Sequence, residues 1–368
     1  KVLNTINLNA LMNFETGNSV LQNANFKQFL DGKHDIALWM NSSFYSLEKL
    51  EEAQYFNDTN LEKLDKEQLK DNYLHVSLTF EDGKASIKTK FFPNPDLPKE
   101  YQQLWRGEKF ESDLLDYIPE GTPLAFGTGF TTKKMLEKVL SKKSLKRAGI
   151  SQEEVLEVFG GSYEMFVTDI KPMLVTSRGR SLFSRNQKAQ KRQELFPEII
   201  IAVEIENKET CQKILSKLQM QLEKEFATTI SQDGDTYTWE SKHGMPTFYL
   251  HVFDDVLVLS TNENYVQEKQ NESLSGDLEN MINSSLSSYY LNLNTSSYSQ
   301  NTHQLIRNKS FFFYNQVIQA IGKFESVRFT VDKSGNEAVL ELHLKDKNKN
   351  SLYNLIEISN EATNVFPF

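Results

Sequence analysis

The sequence predicts an α+β fold of duplicated strand-helix-hairpin modules, whose strands form mainly antiparallel sheets with helices packed on one face. Two internal matches favour duplication. Segment 36–46 returns as 289–299, where Met-Asn-Ser-Ser-Phe-Tyr-Ser at 40–46 corresponds to Leu-Asn-Thr-Ser-Ser-Tyr-Ser. Segment 133–142 matches 208–217, with Lys, Leu and Ser at corresponding positions. In addition, a strand, a helix and a hairpin pattern follow one another four times along the chain.

The 368 residues are expected to divide into one partial region and four modules. Residues 1–32 read as the remnant or end of an N-terminal region. The first module and its connector occupy 33–121, and the second module, with a basic insert, occupies 122–196. The third module is expected at 197–285 and the fourth at 286–368.

Local patterns predict the elements of the first two modules. Apolar residues alternate on both sides of Asp82-Gly83, which predicts a hairpin over 74–91. Ser151 and Glu154 form a capping-box pattern that predicts a helix start, and Gly160-Gly161 is the expected helix end. A second hairpin is expected over 163–176, turning at 169–172.

Helical and alternating patterns also predict the elements of the last two modules. A helix is expected over 208–226, followed by hairpins near 233–235 and over 248–260. After 299 the apolar spacing predicts one long helix as far as Ile321. A hairpin over 327–344 and a final helix complete the chain.

Composition excludes several classes of protein. The net charge of −9 argues against nucleic acid as the main partner, because phosphate binding needs a concentrated positive surface. The single cysteine, Cys211, excludes an internal disulfide. No apolar run in the sequence approaches the ~18–20 residues of a membrane-spanning helix.

Motifs for catalysis or metal binding are absent from the sequence. The six histidines form neither a His-x-x-x-His nor a His-Glu-x-x-His pair. No glycine-rich phosphate-binding loop occurs, and the acidic pairs at 51–52, 153–154 and 254–255 fit solvated helix faces and turns. The sequence therefore predicts no catalytic, cofactor-binding or metal-binding residue, and no cofactor.

A basic insert stands out in this acidic chain. Its six cationic residues are Arg178, Arg180, Arg185, Lys188, Lys191 and Arg192. The ordinary interpretation is a surface loop between two strands. The functional interpretation is a contact with a partner, an acidic glycan or anionic headgroups.

Several short segments resemble a large family of secreted Bacteroidetes lipoproteins of unknown function. These segments are Phe-Lys-Gln-Phe-Leu at 26–30 before the strand at 35–41, Leu-Leu-Asp-Tyr-Ile-Pro at 114–119, Phe-Gly-Gly-Ser-Tyr at 159–163, Pro197, and Asn-Ser-Leu-Tyr-Asn-Leu-Ile at 350–356. The resemblance implies export and an N-terminal lipid anchor, which is expected outside this chain. It implies no catalytic residues.

These observations lead to a functional expectation with two alternatives. The leading hypothesis is a non-enzymatic, exported, lipoprotein-derived protein of the bacterial envelope, in the periplasm or at the outer membrane or cell surface. It would bind or scaffold another envelope protein or surface component. The alternatives are a hydrolase acting on glycan or peptide, with carboxylates from separate modules, and a carrier of an apolar ligand, suggested by the many phenylalanines. A large exposed apolar patch would favour a binding protein, and a deep acidic cleft would favour an enzyme.

Overall fold

The structure is a computed structural model of strands and helices that alternate along the chain. It describes residues 24–30, 32–41, 72–95, 112–119, 121–140, 142–177, 190–226, 229–240, 245–267, 269, 274, 276–310 and 314–365. The helices are α1 (Ala24–Leu30), α2 (Lys133–Val139), α3 (Lys142–Ala148), α4 (Gln152–Val158), α5 (Lys208–Phe226), α6 (Gly276–Ser284), α7 (Gln300–Ser310), α8 (Tyr314–Ile321) and α9 (Ser351–Val365). Short 3-10 turns lie at Ser112–Tyr117, Glu263–Val266 and Thr295–Ser297.

A 13-stranded sheet dominates the described part of the chain. Its strands are β1 (Ile36–Asn41), β2 (Tyr73–Glu81), β3 (Lys84–Phe92), β4 (Ala125–Phe130), β5 (Phe159–Ser177), β6 (Gln190–Ile205), β7 (Thr229–Asp233), β8 (Thr236–Glu240), β9 (Phe248–Val252), β10 (Val256–Ser260), β11 (Ser285–Asn292), β12 (Phe324–Asp332) and β13 (Glu337–Leu344). Their order across the sheet is β1-β2-β3-β13-β12-β11-β4-β5-β6-β10-β9-β8-β7. All pairings between them are antiparallel. Among the described strands the sheet is open, with β1 at one edge and β7 at the other.

The sheet has two faces because side chains alternate along each strand. We call the face that carries Phe166 the inner face, and the face that carries Met165 the outer face. The main core lies on the inner face, where Phe126, Phe166 and Tyr290 stack at ring distances of 5.1 and 5.4 Å. Residues of the 112–117 turn and of α6 cover these rings in the same buried cluster.

A second core lies on the outer face at the β7 end of the sheet. Cys211 of α5 is buried there with Ile205, Tyr237 and Val252 of three strands. Burial raises the pKa of the Cys211 thiol to about 11, which keeps it protonated and unreactive at neutral pH. Helices therefore cover both faces of the sheet.

The prediction of duplicated modules with helices on one face is wrong. Strands distant in sequence are neighbours in the sheet: β13 lies between β3 and β12, and β11 lies between β12 and β4. One continuous sheet therefore replaces separate modular sheets. The match between 133–142 and 208–217 also fails in structure, because the first segment is divided between α2 and α3, whereas the second lies within the 19-residue α5.

Several predicted elements are confirmed. The hairpin over 74–91 is β2–β3, and its turn residue Gly83 has a φ of 66°, a left-handed conformation that glycine adopts without strain. The capping box before α4 is present. Glu154 donates its backbone N–H to Ser151 Oγ at 3.1 Å, and the Glu154 carboxylate accepts the Ser151 N–H at 2.8 Å. Helix α5 spans 208–226 as predicted.

Other predicted elements are wrong in their boundaries. The hairpin expected over 163–176 is part of the single 19-residue strand β5, which pairs with β6 along most of its length. The expected turn at Asp169 is a β-bulge, where the register shifts between Val167 and Ile170. Gly160 and Gly161 belong to β5 rather than ending α4, and the long helix expected after 299 is two helices, α7 and α8.

Candidate functional site

A continuous row of side chains crosses the outer face, one from each strand. From β1 to β7 it reads Ile36, Leu78, Ile87, Leu340, Phe329, Tyr289, Gly127, Met165, Ile201, Leu259, Leu250, Tyr237 and Gln232. The members are aliphatic, aromatic or methionine except Gly127 and the last, Gln232. An antiparallel sheet with a solvated face normally carries polar residues on that face, so an apolar row of this length requires a cover or a partner.

The helices of the described ranges leave a large part of this face open. Large apolar side chains that are 38–59% exposed lie on it from β1 to β5. We call this set the apolar surface: Ile36, Leu38, Ile87, Leu340, Tyr289, Leu291 and Met165. From β1 to β5 it crosses seven strand spacings. At ~4.8 Å each, these spacings give a width of roughly 34 Å.

Glycines in β4 shape the middle of the apolar surface. The Tyr289 ring lies against Gly127, where a Cβ would stand 2.9 Å from ring atoms Cδ1 and Cε1. The Tyr163 ring covers Gly129 in the same way, with its hydroxyl 2.8 Å from the position of a Cβ. Burial and a hydrogen bond with Tyr289 raise the pKa of Tyr163 to about 12. The missing side chains leave room for two aromatic rings over β4.

A buried carboxyl group on the inner face is the second unusual feature. Glu164 has no exposed area, and neither of its oxygens has a hydrogen-bond partner within the described part of the chain. Burial raises the pKa of Glu164 well above its usual value, and the nearby Asp116 adds to that rise. Burial therefore favours the neutral, protonated form of Glu164. On the neighbouring strands, Thr128 and Ser288 share a hydrogen bond of 2.7 Å.

Glu198, a second buried carboxylate among the described residues, has a structural role. Glu198 accepts hydrogen bonds from Thr168 Oγ1 at 2.7 Å and from Asn262 Nδ2 at 2.8 Å, and it pairs with Lys171 Nζ at 3.2 Å. These contacts tie β6 to β5 and to the segment after β10. Among the residues that the structure places, no three His, Cys, Asp or Glu side chains are grouped so that they could hold a metal ion.

The basic insert predicted as a partner contact is described only in part. Arg178, Arg180, Arg185 and Lys188 lie outside the described residues. Lys191 and Arg192 lie at the start of β6, opposite Thr176 and Val175 of β5. The insert thus connects the paired ends of β5 and β6, and its role as a contact stays a prediction.

Sequence reasoning missed the apolar surface. The alternating pattern of Ile87 in β3 and Leu340 in β13 is visible in the sequence, but such residues are normally assigned to a core. Their exposure depends on where the helices pack, which the local pattern does not determine. One signal was available: β11 carries Tyr289, Tyr290 and Leu291 in succession, so both of its faces are apolar.

Fold and surface together define an α+β protein with one open antiparallel sheet and an exposed apolar outer face. The chain belongs to the DUF4836 family, a domain of unknown function whose family model matches residues 5–352. No curated protein and no solved structure matches the chain. Among the helices of the described ranges, none is long and apolar enough to cross a membrane.

Proposed function

We propose that the chain is a non-enzymatic binding or scaffolding protein whose apolar surface docks a protein component of the bacterial envelope. The observation that carries the proposal is the exposure of seven large apolar side chains on one face of the sheet. Contiguous exposed apolar areas of several hundred Å² mark contacts with partners.

The chemistry of the surface favours a protein over a lipid bilayer as the partner. Aromatic residues and methionine, here Tyr289 and Met165, are enriched in protein interfaces. The net charge of −9 disfavours approach to anionic headgroups. Burying roughly 500 Å² of apolar area at about 25 cal/mol/Å² offers on the order of 10 kcal/mol, close to the cost of association. A stable complex therefore needs further contacts around the apolar surface.

The two alternative functions have weaker support. A hydrolase would need an accessible acid, and Glu164, the acid with the raised pKa, is completely buried. A carrier of an apolar ligand would need to enclose most of that ligand. The apolar surface is spread over seven strand spacings and its side chains are 38–59% exposed, so a small ligand on it would stay largely in water.

The location in the envelope rests on sequence resemblance. Segments 26–30, 114–119 and 159–163 resemble secreted Bacteroidetes lipoproteins. On this resemblance we propose a location outside the cytoplasm and tethering through a lipid anchor. Fractionation of the source cells tests this part, and recovery in the cytosolic fraction would contradict it.

Matched methionine substitutions test the docking surface. Met165 is 47% exposed on the apolar surface, and Met220 is 66% exposed on α5, away from it. The purified chain captures partners from detergent-solubilised envelopes, and a captured protein is then purified and titrated directly. Met165→Glu is expected to weaken binding by about 10- to 100-fold, because it buries an unpaired charge at the interface. Met220→Glu is expected to bind as the wild type does, and equal loss in both variants would contradict the proposal.

A further inference from the structure

A pocket lies between the end of β13 and helix α9. Its volume is about 370 Å³, which is within the usual range of small-ligand sites. The residues that line it all fall between 322 and 358, inside a range that the structure describes without a gap. The pocket shares no residue with the apolar surface, so it is a separate candidate for binding.

Three lysines line this pocket, in a chain whose net charge is −9. They are Lys323, which pairs with Glu361, and Lys345 and Lys349 in the segment after β13. Lys349 Nζ stands 3.4 Å from the Glu357 carboxylate, which is longer than the about 2.7–2.9 Å of a strong charge-assisted hydrogen bond. The two side chains are 48% and 42% exposed, so their pairing contributes little stability. Lys349 can therefore turn towards a ligand anion beside Lys345.

The other lining groups are polar acceptors and an apolar wall. Asn354 is only 7% exposed, and its Nδ2 donates to the Asp346 carbonyl oxygen at 3.4 Å, which is a long hydrogen bond. The carboxylates of Asp346 and Glu357 line the same pocket. Leu344, which is buried, and Ile358 supply the apolar wall. Cations, acceptors and apolar groups thus meet in one small pocket.

We propose that this pocket binds a small sugar acid, a ligand with one carboxylate and several hydroxyl groups. The ligand carboxylate lies between Lys345 and Lys349, and its hydroxyl groups donate to the carboxylates of Asp346 and Glu357. The C–H face of the sugar ring packs against Ile358. A phosphate dianion fits less well, because the two acidic side chains repel its second charge. A neutral sugar leaves the two lysines without an anion to contact.

This site goes beyond the proposed function and is tested without any partner protein. The isotope-labelled chain is titrated with glucuronate, glucose and acetate, and the amide signals of Gly322 and Asn354 are followed by NMR. Glucuronate is expected to bind with a dissociation constant on the order of 1 mM. Glucose lacks the carboxylate and acetate lacks the hydroxyl groups, so each is expected to bind about tenfold more weakly. No saturation by glucuronate up to ~20 mM, or equal binding of glucose or acetate, would overturn the proposal.

Matched lysine substitutions test the location of the site. Lys345→Gln and Lys349→Gln together remove both cations and are expected to weaken glucuronate binding about tenfold. Both lysines are exposed, so this double variant is expected to fold. Lys333→Gln removes an exposed lysine from the turn at the other end of the β12–β13 hairpin and is expected to bind as the wild type does. Unchanged binding in the double variant, or an equal loss in the control, would overturn the proposal.

Discussion

Replacing Glu164 with glutamine should remove the contribution of this buried carboxyl group to the pH dependence of the free energy of unfolding. Glutamine keeps the shape of the side chain and stays neutral at every pH. In the wild type, burial raises the pKa of Glu164 in the folded state, whereas the unfolded chain should titrate near the ordinary value of ~4.3. The folded state therefore binds the proton more tightly than the unfolded state does.

The sign and size of the effect follow from this difference. Because the folded state binds more protons, the free energy of unfolding falls as pH rises above ~4.3. The fall continues until the raised pKa of the folded state is passed. Its slope for one group is about 1.4 kcal/mol per pH unit. Glu164→Gln lacks this loss, so the variant gains stability relative to the wild type as pH rises through that window.

Urea unfolding at pH 5, 6, 7 and 8 measures the difference. The gap in free energy of unfolding between Glu164→Gln and the wild type should widen as pH rises, by at most about 1.4 kcal/mol per pH unit, until the raised pKa of Glu164 is passed. Glu209→Gln, an exposed glutamate on α5, is the control and should follow the wild-type slope. Parallel curves for Glu164→Gln and the wild type would refute the reasoning, because they would show that the folded state does not hold this proton.

Three further substitutions test the local structure by urea unfolding. Gly161→Ala should destabilise the fold by about 2 kcal/mol or more, because the backbone has a φ of +123° and a Cβ would stand 2.3 Å from Phe130. Ser151→Ala should cost about 0.5–2 kcal/mol by removing the cap of α4. Hydrogen bonds from His343 and Lys84 lower the pKa of Glu341 to about 2, so this carboxylate stabilises the fold above ~4.3 and that stability is lost as pH falls towards 2. Glu341→Gln should cost roughly 2 kcal/mol at pH 7 and much less at pH 2.5.

Each of these substitutions has a control. Gly234 has a φ of +58° and no neighbouring atom within 4 Å of a Cβ, so Gly234→Ala should cost about 1–2 kcal/mol for the backbone alone. An equal cost for Gly161→Ala would contradict the close contact with Phe130. Ser151→Thr keeps the hydroxyl and should retain most of the stability. A constant cost of Glu341→Gln between pH 2.5 and pH 7 would contradict the lowered pKa.

Local elements could be predicted from the sequence because their causes are local. The turn at Gly83 and the cap at Ser151 depend on residues within a few positions. The length of β5 depends on β6, so the polar residues near Asp169 were taken for a turn when they form a bulge. Pairing between strands that are distant in sequence, such as β3 with β13, cannot be predicted from the pattern of residues in a short segment.

The sequence predicts less about the apolar surface than about the local elements of the fold. Sequence shows that Leu340 and Met165 belong to apolar stripes, but burial of a stripe depends on helix packing. Gly127 leaves room for the Tyr289 ring, which belongs to another strand. This role of the glycine can be recognised only when the two strands are known to be neighbours. The fold expected from internal matches failed because short similarities in strands, turns and helices do not require a shared arrangement in space.

Site-specific photo-cross-linking in intact envelopes tests the docking surface most directly. A photo-reactive benzoyl-phenylalanine replaces Met165 on the apolar surface, and in a separate variant it replaces Met220 on α5. The account predicts one discrete cross-linked protein from position 165 and none from position 220. No cross-link from position 165, or the same products from both positions, would contradict the account.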